Sequence, residues 1–327
     1  MAGPGANTPV VGVDLGGTKI LAAVVGADHA ILGRSKKPTP AEAGGAAILE
    51  AIVACVDQAI AEAGLGRDAI AAIGVGSPGP LDSEAGVIAF TANLNVRDWP
   101  LGPDLSRIMG RPVLLQNDVR VGGYGEYRLG AGRGHRNMLA AFVGTGIGGC
   151  LIVDGRVVEG ATGNAGEIGH IVVKADGPKC GCGRRGCLEA LSSRSAIARR
   201  VGKAARDGVE SVLAAKVDKK SGKLKSGDLA AAVAAGDLVA IQEVHRAARY
   251  LGLGLGGLVN LIGPEIIVLG GGVTEALGAT FLELVRTAAA EQILVDPARK
   301  IRIEPAALGD DAGVLGAALL ARERYAA

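Results

Sequence analysis

Two glycine turns set the terms on which this chain can fold. DLGGTK at 14–19 lies between apolar runs at 10–14 and 20–25, and GTGIGG at 144–149 lies between apolar runs at 138–143 and 150–153. Each is a strand, a glycine turn and a second strand, which predicts two related halves facing one ligand. Neither turn runs into a helix, so the dinucleotide-binding fingerprint is not matched. Glycines in a tight turn leave backbone N–H groups unshielded, open to phosphate oxygens. Either turn alone reads equally as an ordinary hairpin; the pair suits the two ends of a polyphosphate.

A length of 327 residues fits two lobes at roughly 150 residues per domain and can bury a sizeable core. Hydrophobic residues make up 49%, too many for a disordered chain. Lys+Arg 35 against Asp+Glu 33 leaves a net charge of +2, so neither nucleic acid nor a membrane surface is an expected partner. Aromatics at 2% disfavour a base-stacking platform. The 53 glycines are about twice the usual ~7% share; without a three-residue period they mark turns and close backbone approaches. The longest charge-free stretch, 137–153, is shorter than the ~20 residues of a membrane span. The first nine residues carry neither a basic start nor an apolar core, so no secretory signal is expected. Cys180, Cys182 and Cys187 cluster, which fits a cytoplasmic metal site better than a disulfide framework.

Apolar runs at 10–14, 20–25 and 30–35 predict three antiparallel strands. Helical spacing over 46–63 stops at Gly64. A strand at 69–76 enters the turn cluster SPGP at 77–80, and a strand at 113–116 leads to a helix opening at Asp118. Stretches 189–205 and 238–262 read as long helices, 266–269 and 301–303 as strands, and 312–324 as a closing helix. The lysine-rich 211–228 reads as a surface insertion or a helix-loop-helix.

The chemistry-bearing residues form three groups. Asp14, at a strand end beside Gly16, Gly17 and the Thr18 hydroxyl, is a candidate for holding Mg²⁺, directly or through water. His170 with Cys180, Cys182 and Cys187 makes a tetrahedral Cys₃His set for Zn²⁺, structural because no open position remains. Asp118, at a helix start, reads as an N-capping aspartate or as the base that phosphoryl transfer to a hydroxyl needs. Glu167 and His170 offer a carboxylate and an imidazole to paired hydroxyls of a polar ligand.

In combination, DLGGTK, SPGP, Asn93-Leu94, QND at 116–118, GTGIGG, GEIGH at 166–170, CGCGRRGCLE at 180–189 and LGGGV at 269–273 resemble the ROK family, named for repressors, open reading frames and sugar kinases. The resemblance implies an α/β chain of the actin/hexokinase/Hsp70-like ATPase fold, two lobes around a cleft. The smaller lobe would span 1–118 with the closing helix 311–327 packed back on it. The larger would span 119–310 and carry the zinc loop. ATP phosphates would lie at Asp14, Gly16, Gly17, Thr18 and Lys19 and at Gly144, Thr145, Gly146 and Gly148, with the adenosine near Gly270, Gly271 and Gly272. Asp118 would be the base that takes the proton of a sugar 6-hydroxyl. Gly79, Asn93, Asn117, Glu167, His170 and Glu189 would hold the sugar. The implied activity is that of a cytoplasmic ATP-dependent glucokinase acting in carbohydrate metabolism as a homodimer or tetramer. Fructose, mannose, allose or an N-acetylated amino sugar is the alternative acceptor, polyphosphate the alternative donor, and a sugar-responsive regulator the alternative class. Two stretches depart from the family pattern: Val119-Arg120 where Ala-Asn is common, and Asn95-Val96-Arg97 where a Pro-Gly-Trp-like run is common. The first predicts a changed pocket rim beside Asp118.

Overall fold

Alternation along β1 (Val10–Leu15) organises the first half of the molecule. β1 pairs antiparallel with β2 (Lys19–Val25), which pairs with β3 (Ile31–Pro38); these are the three expected strands. Then follow α1 (Gly45–Glu62), β4 (Ile73–Ser77), β5 (Leu81–Asp82), β6 (Val87–Thr91), β7 (Val96–Trp99), α2 (Leu101–Met109), β8 (Val113–Asn117) and α3 (Asp118–Leu129). β4 and β8 add in parallel, giving the sheet order β3-β2-β1-β4-β8. The computed structural model describes residues 8–91, 93–218, 222–294 and 301–326.

The second half repeats the plan. β9 (Met138–Val143), β10 (Ile147–Val153) and β11 (Arg156–Val157) come first. Next are α4 (Leu188–Ser192), α5 (Arg194–Arg206), α6 (Ser226–Ala234) and α7 (Leu238–Ile262). β12 (Ile266–Gly270), α8 (Gly272–Ala290) and β13 (Arg302–Pro305) follow, and α9 (Asp311–Tyr325) ends the chain. The sheet order β11-β10-β9-β12-β13, with β12 and β13 parallel, matches the first sheet strand for strand.

The chain divides into two units, 1–134 with 157–165 and 308–327, and 135–156 with 166–307. In the first, Val11, Val13 and Leu15 enter one buried layer with Ile48, Ile52 and Val56 of α1. Val10 enters the opposite layer with Leu315, Ala318 and Ala321 of α9. Period-two alternation therefore turns Gly12 and Asp14 toward α9 as well. A Cβ at Gly12 would lie 1.8 Å from the Val314 carbonyl oxygen, and one at Gly74 2.0 Å from that of Ala317. Glycine at both positions lets α9 lie directly on the strands. Helix α3 packs on α9, which is why the first unit runs on to 134 rather than stopping at 118. In the second unit β9, β12, α5, α7 and α8 share one core around Leu139, Leu251, Ile267 and Phe281.

The helix expected over 189–205 is two helices. Ser193 is extended (ψ 162°) and its hydroxyl caps α5 at the Ala196 N–H. The lysine-rich insertion holds a 3₁₀ turn at Ala214–Lys216 and the start of α6, with 219–221 outside the described residues. The small sheet β5-β6-β7, α2 and α8 are elements the sequence patterns did not point to. No helix among the described residues is long and apolar enough to cross a membrane.

Candidate functional site

In the first unit the turn after β1 is built tightly. Gly16 N donates to Lys19 O at 2.9 Å, Thr39 Oγ1 to Gly16 O at 2.7 Å, and Thr39 N to Thr18 O at 3.1 Å. A Cβ on Gly17 would lie 3.2 Å from the Asn93 carbonyl oxygen, so the turn and the Asn93 loop touch. Leu94, fully buried, anchors that loop in the core and leaves Asn93 exposed. Gly79, at φ 99°, seats the SPGP turn against Phe90. The divergent Asn95-Val96-Arg97 leads straight into β7, with Arg97 stacked 4.8 Å over the Phe90 ring.

The start of α3 separates the parts played by two neighbouring side chains. Asn117, not Asp118, is the N-cap, its side chain accepting from Val119 N at 3.0 Å and Arg120 N at 3.1 Å. Asp118 is the first helical residue, where the helix dipole favours a carboxylate. Asp14 shares its electrostatic environment. Burial first, then the negative charges of Asp118 and Asp310, push the Asp14 carboxyl up to about 6, with Lys19 pulling the other way. Lys19 Nζ sits 2.7 Å from Asp310 Oδ2, and a Cβ on Gly313 would come within 3.1 Å of the Asp14 carboxyl carbon. Two carboxylates around a phosphate-type turn, one of them destabilised by burial, form a donor set that suits a hard divalent cation.

Arg120 does not line a rim. It is 3% exposed, with Nη1 on Gln116 Oε1 at 2.7 Å and Nη2 on the carbonyls of Gly163 and Ala165 at 2.9 Å each. Gln116 Nε2 holds Glu159 Oε1 at 3.0 Å. The departure from the family pattern thus pins segment 159–165 to the base of α3. That segment runs directly into GEIGH.

In the second unit Glu189 closes the GTGIGG turn. Its Oε2 accepts from Ile147 N at 3.0 Å, and a Cβ on Gly146 would lie 2.4 Å from that oxygen. Gly144 N bonds Gly146 O at 2.9 Å, Gly148 belongs to β10, and the Thr145 hydroxyl accepts from Arg194 Nη2 at 2.6 Å. β12 ends at Gly270. Gly271, at φ 86°, turns the chain into α8 at Gly272, so LGGGV, unlike the two hairpin turns, does open a helix. Arg194 was not singled out by the sequence analysis. No sequence signal marks it, because 189–205 reads as one helix and hides the start of α5 at Arg194.

Glu167 is exposed and leads into the short 3₁₀ turn Ile168–His170. The ligating atoms of His170, Cys180, Cys182 and Cys187 all lie within 4.8 Å of one another. His170 Nδ1 is 3.7 Å from Cys180 Sγ, and Cys182 Sγ is 3.7 Å from Cys187 Sγ. Those edges match a tetrahedron of Zn–S bonds of about 2.3 Å, whose edge is about 3.8 Å. No disulfide joins these cysteines. The Arg184 backbone N–H, foremost, draws the Cys182 thiol down to about 6, while burial pushes the Cys180 and Cys187 thiols up. Cys180 Sγ also lies 3.8 Å from Glu189 Oε1, so the cysteine loop and the GTGIGG turn share Glu189.

A family model described as "ROK family" matches residues 10–324. A curated glucokinase of Halalkalibacterium halodurans is 36% identical over 315 residues, 96% of this chain and 95% of that protein. A ROK hexokinase structure from Thermus thermophilus is 38% identical with a TM-score of 0.82, covering 97% of this chain and 98% of that one. A ROK glucokinase from Streptomyces griseus, solved in complex with glucose and AMPPNP, is 34% identical with a TM-score of 0.81, covering 96% of this chain and 99% of that one. The doubled sheet is therefore that of the actin-like ATPases, and over nearly its whole length the chain belongs to the ROK family.

Proposed function

We propose that this chain is a sugar kinase that transfers the γ-phosphoryl group of ATP to the 6-hydroxyl of a hexose, with glucose the first candidate. The observation that carries the reading is the likeness over nearly the whole chain to ROK glucokinases, together with the placing of Asp14 and Asp118 on either side of Gly76 in the first unit. One carboxylate lies at the glycine turn; the other, Asp118, at the first helical position with Oδ1 accepting from Val119 N at 2.8 Å, is the candidate base. The hydroxyl oxygen attacks the γ-phosphorus, its proton passes to an Asp118 carboxylate oxygen, and the bond to the ADP oxygen breaks. Asp118 then returns the proton to solvent. Catalysis is chiefly positioning and charge stabilisation.

Asn93, Asn117 and Gly79 are the first unit's candidates for sugar contacts. Glu167, His170 and Glu189 are the second unit's. His170 directs Nδ1 to the cysteines, which leaves Nε2 for a hydroxyl. Mg²⁺ held by Asp14 would neutralise charge on the phosphates. Zn²⁺ held by His170, Cys180, Cys182 and Cys187 would have no open position and would stiffen the loop that carries His170. We place the enzyme in the cytoplasm, as a homodimer or tetramer.

The test is ADP release from Mg·ATP over a panel of glucose, fructose, mannose, allose and N-acetylated amino sugars. Turnover with one of them, giving the 6-phosphate, is expected. ATP binding without phosphorylation of any acceptor overturns the kinase reading and leaves a sugar-responsive regulator.

A further inference from the structure

Arg194 sits where an anion is needed. Its guanidinium donates to two neutral hydroxyls, Thr145 Oγ1 at 2.6 Å and Ser226 Oγ at 3.0 Å. Among the described residues no carboxylate is paired with it, and burial alone acts on it, disfavouring the charge. It opens α5, a helix with no acidic residue in its first turn, so the dipole opposes the charge as well. An arginine held half-buried against both effects is stabilised by a bound negative group.

The neighbouring backbone fixes it there. Arg194 N donates to Gly144 O at 2.9 Å, and Ser195 Oγ to Thr145 O at 2.8 Å. Gly272 lies alongside: a Cβ on it would be 3.3 Å from Ser226 Oγ and 3.7 Å from Arg194 Nη1. Three segments of the second unit therefore meet at one guanidinium: the GTGIGG turn, the start of α6 and the glycine start of α8. A guanidinium has five N–H donors. The two hydroxyls leave a fork of donors free for bidentate phosphate contact.

We propose that Arg194 is a donor-binding residue, gripping non-transferred phosphate oxygens of a nucleoside triphosphate beside Thr145 and Gly272. The inference rests on the kinase reading above and adds to it a residue that selects the donor. Of the non-transferred oxygens, those of the α-phosphate keep their charge throughout the reaction, and they are the ones assigned to Arg194. Arg194 then strengthens ground state and transition state alike, and its loss raises KM for ATP more than it lowers kcat.

The experiment is calorimetric titration of the full chain with ATP, adenosine and a short polyphosphate, for wild type, Arg194→Met and Arg194→Lys. Loss of a charged hydrogen-bonding pair predicts that Arg194→Met binds ATP about ten- to a hundredfold more weakly. Adenosine affinity stays at the wild-type value, and Arg194→Lys recovers part of the loss. Unchanged ATP affinity in folded Arg194→Met overturns the proposal. So does an equal loss for adenosine, which would make Arg194 only a brace for the turn. A loss confined to polyphosphate overturns the nucleotide assignment. If Arg194→Met does not fold, Arg194→Lys is judged against the same ATP and adenosine criteria. The titration needs no acceptor, so a chain that binds ATP through Arg194 yet phosphorylates no hexose fails the kinase reading alone.

Discussion

In the proposed reaction Asp14 would hold the cation and Asp118 would take the proton, and burial, foremost, raises the Asp14 carboxyl. Asp118→Asn removes the proton acceptor but keeps the shape. We expect kcat to fall by about 10²–10⁴, with KM for ATP little changed, as read by steady-state kinetics on a variant of unaltered melting temperature. Asp14 imposes a pH dependence. Its folded pKa of about 6 lies above the ordinary aspartate value of 3.8, so its ionised form opposes the fold. The stability it contributes is complete below the unfolded value and lost as pH rises through about 6. Melting temperatures of wild type and Asp14→Asn should converge at acid pH and separate above pH 6, the variant being the more stable. Under the proposed role in holding Mg²⁺, activity would run the opposite way: kcat/KM for Mg·ATP should drop below pH 6, where Asp14 takes a proton. At this scale the cysteine cluster was legible because its ligands lie within a short loop. Arg120 and Arg194 were not. Each acts through partners distant in sequence, Gly163 and Ala165 for one, Thr145 and Ser226 for the other.

The second unit's cysteine loop is held by more than its cysteines. Val173 N bonds Gly186 O at 2.9 Å, Leu188 N bonds Ile171 O at 2.9 Å, and Val172 bridges Cys187. Stripping the metal with a chelator should therefore lower the melting temperature and raise KM for the hexose while leaving a folded chain. Cys182→Ser should do the same, with metal analysis and circular dichroism as the checks. Ser193 is the other pivot of this region. Loss of its cap in Ser193→Ala should cost about 1 kcal/mol of stability in denaturant titration. The glycine hairpins and the long α7 could be read ahead, since alternation and helical spacing are local properties. The break between α4 and α5 could not, because one capping serine inside a helical pattern looks like any other. β5 and β7 are too short to register as strands, and β6 (VIAFT), apolar at four successive positions, carries no alternation to read.

On the scale of the whole molecule the two hairpin turns proved to head two copies of one five-stranded plan. That duplication was visible in the sequence because the glycine turns repeat. The pieces each unit takes from the chain were not, since they depend on which helix packs on which sheet. Glycine at 12 and 74 lets α9 rest on β1 and β4. Gly12→Ala would drive a methyl group into the Val314 carbonyl. We expect a loss of about 1–3 kcal/mol or more, seen as a lower midpoint in urea.

The first unit is stitched from three stretches, the last of them at 308–327. A ribosome making this chain releases every residue of the second unit before it releases α9. The usual order of folding during synthesis, first domain first, is thereby reversed. Until α9 is made, the strand faces at Gly12 and Gly74 lack the helix that covers them, so that side of the sheet stays open while residues 78–310 are added.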